Sequence, residues 1–287
     1  MTTIGRGSTA HHLEKVEAPG SMLTKTAAKA LAVLRISTGF IFLWAFLDKT
    51  FGFGYATPSA KAWINGGSPT KGFLSSVDVG PSGLQTFFHN IAGDPWANWL
   101  FMLGLLGIGL AFVLGIGMRL AAGAAVLMMA MMWLAELPLD KTFALGFSTG
   151  VSPDGASTDR FGPAAWIHGG NPTQGFLAFG AKGPFEGFYH SIAGATWVNW
   201  LFMLGLLGIG LALTFGVAMR FAAAAGAVMY VLMWTVALPP ENNPVIDEHL
   251  LGAITVVALA LLSAGNTWGL GRRWSRIDAV ERYPVLR

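Results

Sequence analysis

The stretch Glu241-Asn242-Asn243-Pro244-Val245-Ile246-Asp247-Glu248-His249 brings three carboxylates and a histidine together just before an apolar run. Carboxylates beside an imidazole can relay protons near neutral pH, or bind a cation. The spacing matches no standard metal-ligand pattern, and no metal is expected. Asp247 and Glu248 also suit a helix N-terminus, whose dipole favours negative charge, and Pro244 suits the turn before it. The residues are therefore either a proton-handling set (Glu241, Asp247, Glu248, His249) or a well-capped helix start. His89 in Phe-Phe-His-Asn and His190 in Phe-Tyr-His-Ser occupy equivalent places. Each is either a proton carrier or a side chain bonded to a backbone carbonyl.

Charged groups at the edges of apolar runs form a second set. Asp48-Lys49 and Asp140-Lys141 are adjacent opposite charges. They read as local ion pairs or as docking points for an anion. Arg35 lies about ten residues inside an apolar run, where charge is costly and signals function unless the side chain snorkels to the edge. Glu136 near the end of another run has the same ambiguity. Cysteine is absent, which removes disulfides, thiolate catalysis, persulfides, iron–sulfur clusters and cysteine-held haem or zinc. Any redox carrier is then diffusible or held non-covalently.

The elements that must position these residues are apolar. Of 287 residues, 53% are hydrophobic and 11% charged, with a mean hydropathy of +0.55. Soluble domains carry about 25% charge, so the solvent for this chain is a lipid bilayer. Six runs approach the ~20 residues that a membrane span needs: Ala27–Leu47, Trp99–Gly117, Leu120–Leu137, Trp200–Ala218, Phe221–Leu238 and Leu250–Ala264, the last being the shortest. With both termini inside, the charge divides as +8 inside and −5 outside, the asymmetry of a bacterial-type multi-pass protein. Basic residues cluster at membrane edges rather than along one face, which argues against nucleic acid. The expected fold is an all-α membrane protein of six transmembrane helices in the prokaryotic inner membrane. Its expected parts are a cytoplasmic tail (1–24), a helix–outer loop–helix unit (25–118), a copy of that unit (119–218), a final helix pair (219–265) and a basic cytoplasmic tail (266–287).

The copy is explicit. Asn98–Ala111 reads NWLFMLGLLGIGLA, and Asn199–Ala212 is identical over fourteen residues at an offset of 101. The register continues through Met118-Arg119 and Met219-Arg220, and through Trp133 and Trp234. Upstream, Ala62–Thr70 matches Ala165–Thr173 at 103, and Leu47–Phe51 recurs as Leu139–Phe143 at 92. Each unit holds two spans, so the copies share one orientation and form a tandem parallel repeat. Gly104, Gly107 and Ala111, with Gly205, Gly208 and Ala212, form small-residue stripes suited to close helix contact. In the outer loops, Ser68 and Asn171 are candidate caps and Pro69 and Pro172 candidate first-turn residues. Leu84–Ala92 and Phe185–Ala193 read as short interfacial helices. The two long outer loops should be ordered.

Trp44-x-x-Leu47-Asp48-Lys49, the GGSPT-x-GFL loop, WLFMLGLLGIGLA, LPPENNP-x-x-DEH and Thr267-Trp268-Gly269-Leu270-Gly271-Arg272 together resemble the DoxX/DoxD membrane-protein family, over roughly Leu34–Trp274. That family includes the small subunit of thiosulfate:quinone oxidoreductase. Typical members have four helices; this chain carries an extra loop–helix–helix unit. The resemblance implies electron transfer into membrane quinone, with a sulfur compound such as thiosulfate as donor. Lys49, Lys71 or Lys141 would position anions, and quinone would sit near Trp44, Trp133 or Trp234. The alternative is a non-catalytic anchor whose outer loops dock a membrane or extracytoplasmic protein. A small transporter is disfavoured by the lack of Pro-broken helices. An oligomer is compatible with either reading.

Overall fold

The computed structural model describes residues 24–78, 83–136 and 169–286. Among these, helix is the dominant element and no strand occurs. Five helices are long and apolar enough to cross a membrane: α1 (Lys25–Phe51), α4 (Pro95–Leu114), α5 (Met118–Glu136), α7 (Thr196–Phe215) and α8 (Met219–Val236). Between and after them lie α2 (Lys71–Ser75), α3 (Gly83–Ile91), α6 (Glu186–Ile192), α9 (Glu248–Leu261), α10 (Gly271–Trp274) and α11 (Asp278–Arg282). The long helices are apolar around their whole circumference, which suits lipid rather than water as solvent. Their ends carry ordinary punctuation. Thr24 Oγ1 accepts the Ala27 N–H at 3.2 Å, and Gly52, Gly115 and Gly216 close α1, α4 and α7 in left-handed conformation.

The helices pack as a row: α5 on α4, α4 on α1, α1 on α9, α9 on α8 and α8 on α7. One end of the row carries the loop segments 52–78 and 169–195 and is called here the loop end. The other carries the tight Gly115–Gly117 and Gly216–Ala218 turns and is called the turn end.

α9 has 14 residues, about 21 Å of helix, shorter than the expected sixth span. Ser263 breaks it in left-handed conformation (φ 53°), and a 3₁₀ turn over Ala264–Asn266 follows. Gly265 in that turn lies on Gly216 at the end of α7. Helix and turn together thus reach from the loop end to the turn end. The C-terminal tail folds over the same region. Leu270 N–H donates to Phe215 O at 2.7 Å, and Trp274 Nε1 donates to Leu286 O at 2.7 Å.

The tightest helix contact is α1 on α4. A Cβ at Gly39 would lie 2.8 Å from the Val113 backbone nitrogen, and one at Gly109 would lie 2.6 Å from Leu43 Cγ. The expected glycine stripe serves a different contact. Gly104 receives the Met128 methyl and Gly205 the Met229 methyl, whereas Gly107 and Gly208 face open space. Gly39→Ala should cost about 1–3 kcal/mol, because backbone cannot move aside as a side chain can. Thermal unfolding of the purified protein in detergent checks this.

The two short loop helices form where expected, as α3 and α6. Each packs on the helix after next through repeat-related residues: Phe88 with Ala135, and Tyr189 with Val236. A clip ties each preceding loop to the long helix. Asn98 Oδ1 accepts from Thr70 Oγ1 (2.7 Å), Thr70 N (3.1 Å) and Ser68 Oγ (2.9 Å). Asn199 Oδ1 accepts from Thr173 Oγ1 (2.7 Å) and Thr173 N (3.2 Å). Ser68 and Asn171 cap the following turn through the N–H groups of Lys71 and Gln174, as expected. Asn98→Ala or Asn199→Ala leaves the buried threonine donors unsatisfied and should cost about 1–3 kcal/mol, read as a lower melting temperature.

Candidate functional site

A cleft of ≈ 610 Å³ opens at the loop end, between α1, the Phe176–Gly180 π turn and the 237–251 stretch. Its floor is apolar, with Ile41 and Ala45 on α1 and Leu251 on α9. Its upper wall is polar, with Asp48, Lys49, Lys182, Glu241, Asn243, Asp247, Glu248 and His249. Two sets that are about 190 residues apart in sequence, at the end of α1 and before α9, thus share one site because α1 packs on α9.

The 241–249 stretch is folded by its own side chains. Asn243 Oδ1 accepts the N–H groups of Val245 (3.0 Å) and Ile246 (2.9 Å), an Asx turn before the helix. Those two acceptor bonds fix which end of the amide is oxygen. Trp234 Nε1 donates to Val245 O at 3.0 Å and ties the loop to α8. Asp247 caps α9, its Oδ1 accepting the Leu250 N–H at 3.0 Å. Its Oδ2 accepts from His249 Nδ1 at 2.8 Å. Both side chains are largely buried, His249 at 15% exposure and Asp247 at 11%. The helix cap thus uses one carboxylate oxygen and the His249 hydrogen bond uses the other.

This geometry has a chemical consequence. A carboxylate oxygen can only accept, so in the neutral ring of His249 the proton sits on Nδ1 and the lone pair on Nε2. Glu248 is exposed, with Oε1 4.0 Å from His249 Nδ1. Asp247, Glu248 and His249 could offer three ligand atoms to a metal. A metal on Nδ1 would displace the proton that bridges to Asp247. Lys182 Nζ lies 3.3 Å from Glu241 Oε1, but both are well exposed, so the pair adds little stability.

Two polar atoms in the cleft wall have no partner. Asp48 is 1% exposed; its Oδ1 accepts the Tyr55 N–H at 3.4 Å, and its Oδ2 is bonded to nothing. Asn243 is 5% exposed, and its Nδ2 is likewise unpartnered. Buried polar groups are almost always satisfied. Asp48 and Asn243 both line the cleft, so its wall holds one buried acceptor and one buried donor without a hydrogen bond. Trp44, one turn before Asp48 on the same helix face, also buries an unpartnered Nε1. Its ring is boxed by Phe40, Phe53 and Tyr55, at centroid distances of 6.2, 5.6 and 5.2 Å.

The other sequence candidates lie elsewhere. His89 is exposed on α3 and donates through Nε2 to Val77 O at 2.9 Å, the carbonyl-bonded alternative. His190 is exposed on α6. Neither lines the cleft. Arg35 sits toward the turn end of α1, its guanidinium against Gly115 at the C-terminus of α4, where the helix dipole favours a cation. Trp133 is 61% exposed on α5. Lys71 packs along Gly93 in the first loop. Lys141 and Asp140 lie outside the described residues.

Lys182 and Asn243 were not singled out from sequence. A signal for Lys182 existed: it precedes Gly183-Pro184, where the first copy has Val79 before Gly80-Pro81. The gain of a charge between copies marked the place. Its backbone N–H donates to Val236 O at 3.2 Å, holding the second loop to the end of α8. Comparison with known proteins finds no matching family model, no matching curated protein and no matching solved structure.

Proposed function

We propose that this chain is an integral membrane subunit that handles protons for the reduction of membrane quinone at the loop-end cleft, with a sulfur compound such as thiosulfate as electron donor. The observation that carries the reading is that Asp48 and Asn243, each with an unpartnered buried polar atom, line the same cleft as the hydrogen-bonded Asp247 and His249. The residues fit a quinone. Asn243 Nδ2 suits a quinone oxygen, Asp48 Oδ2 suits a quinol hydroxyl, and Ile41, Ala45 and Leu251 suit an apolar tail rising from the membrane. A quinone held there would take up two electrons and two protons. His249 would pass protons through Nε2, while Asp247 fixes the ring and stabilises its charged form. Lys49 and Lys182 at the mouth would attract an anionic donor. With no cysteine in the chain, the donor would give up its electrons without a covalent sulfur intermediate. The resemblance to the DoxX/DoxD family supplies the donor and the electron acceptor in this reading.

The topology that goes with it has six crossings, both termini inside and the loop end outside. The charge division of +8 and −5 supports the orientation. The reach of α9 and its trailing turn to Gly216 supports the sixth crossing. Such a protein belongs to a prokaryotic cell membrane and would receive electrons at its outer face.

The full-length protein, purified in mild detergent, should retain extractable quinone and reduce a short-chain quinone analogue when supplied with thiosulfate. No retained quinone, together with no turnover on thiosulfate or another reduced sulfur compound, sinks the proposal. A co-purifying protein chain without quinone chemistry would favour the anchor reading instead.

A further inference from the structure

The C-terminal segment 264–286 is fixed on the turn end. Gly265 lies on the Gly216 backbone, and a Cβ at Gly269 would stand 2.5 Å from Gly265 O. Leu270 N–H donates to Phe215 O, Val280 is 2% exposed, and the last turn, Pro284–Leu286, packs on α8. The backbone of this segment is therefore anchored at several points.

What it displays is a different matter. Trp268 is 103% exposed and sits in left-handed conformation, at φ 58°. A bulky residue is strained there, and a ring so exposed recovers none of that cost by burial. Arg272, Arg273 and Arg276 follow within a few residues, all exposed. Among the described residues none of the three makes an ion pair, although Asp278 and Glu281 are close in sequence.

The turn end is also a membrane edge. α4 meets α5 there, and α7 meets α8, and all four are long and apolar enough to cross. Two further arginines mark the same level. Arg35 packs against Gly115, and Arg119 is exposed in the first turn of α5, where the helix dipole disfavours a cation. Indoles favour the boundary between hydrocarbon and water. Guanidinium groups bind phosphate through a planar fork, and basic clusters beside membrane spans attract anionic lipid.

We infer that the 267–276 stretch docks anionic phospholipid of the leaflet at the turn end. Trp268 sits at headgroup level, and Arg272, Arg273 and Arg276 hold lipid phosphates. Charge complementarity and place commit the surface to lipid, because the headgroup layer already lies at this edge. The inference needs only that the long helices cross a bilayer, and it is independent of the quinone reading.

The absence of cysteine lets Thr267→Cys carry a single environment-sensitive fluorophore. The full chain is reconstituted into phosphatidylcholine vesicles containing either phosphatidylglycerol or phosphatidylcholine spin-labelled near the glycerol. The expected result is stronger quenching by phosphatidylglycerol. Each Arg→Gln change at 272, 273 or 276 should lower the apparent affinity for phosphatidylglycerol about fivefold. Equal quenching by the two lipids, or a preference that survives the triple change R272Q/R273Q/R276Q, overturns the inference. Excess inorganic phosphate at constant ionic strength should leave the preference intact. Its loss would assign the arginines to free phosphate and overturn the lipid assignment. Trp268→Gly relieves the left-handed strain, so the melting temperature in detergent should equal or exceed the parent value while quenching by both lipids falls. Quenching unchanged by Trp268→Gly overturns the role of the indole.

Discussion

His249→Ala should lower the proposed quinone-linked turnover by about 10²–10⁴-fold, the range seen when a positioned proton carrier is removed. Its side chain makes one hydrogen bond, to Asp247, so the loss to folding should be only about 1 kcal/mol. Turnover and stability are therefore expected to separate. Asp247→Asn provides the companion measurement. The asparagine oxygen can still cap α9 through Leu250 N–H, but its NH₂ cannot accept the proton on His249 Nδ1. The ring would then be held in the other tautomer, Nδ1 accepting from the amide and Nε2 carrying the proton, while the helix start survives. The expected result is a large loss of kcat for Asp247→Asn with a melting temperature close to that of the parent protein. If His249→Ala turned over short-chain quinone at the parent rate, His249 could not be the proton carrier. Steady-state assays with thiosulfate as donor decide it.

The five long helices were legible because each is a continuous apolar run with a left-handed glycine or a tight turn at its end. The sixth was legible only at its start. Asp247 announces the N-terminus, but the stop at Leu261 depends on Ser263 and on the packing of Gly265 onto Gly216, a contact between segments about fifty residues apart. The glycine stripe was visible and its partner was not. Gly104 accommodates a methionine of α5, and the close approach falls on Gly39 and Gly109 instead. Which face of a uniformly apolar helix binds which neighbour is set by the neighbour, and one helix's sequence does not contain it.

The site divides in the same way. Asp247, Glu248 and His249 are contiguous in sequence, and their cap and hydrogen bond are local. That Asp48 and Lys49 join them follows from α1 packing on α9, which no spacing reveals. The duplicated histidines illustrate the converse. His89 bonds Val77 O, and neither it nor its repeat counterpart His190 lines the cleft. The residues that line the cleft come mainly from segments outside the exact repeat.

Asp48→Asn should abolish quinone-linked turnover and leave the fold as stable as before, or more stable. The reasoning rests on the environment of one side chain. Asp48 is 1% exposed, at the last turns of α1, with one oxygen weakly bonded to Tyr55 N–H and the other unpartnered. A buried polar atom without a partner costs about 1–3 kcal/mol. Attraction to the adjacent Lys49 is the one structural reason on view to keep a carboxyl group there. Asparagine matches its size, keeps an oxygen for Tyr55 and removes a buried charge, against which stands the lost attraction to Lys49. It also replaces the spare acceptor with a donor. A quinol hydroxyl would then meet two N–H groups, from positions 48 and 243, and no acceptor. The expected result is a melting temperature equal to or above that of the parent, with turnover down by at least about 10²-fold, as for other essential acid–base groups. Stability that rises while activity falls is the pattern of a residue held at a functional site against its structural cost. A fall in melting temperature with turnover intact would assign Asp48 to the fold and remove it from the site. Differential scanning fluorimetry and the quinone assay, run on the same preparation, distinguish the two.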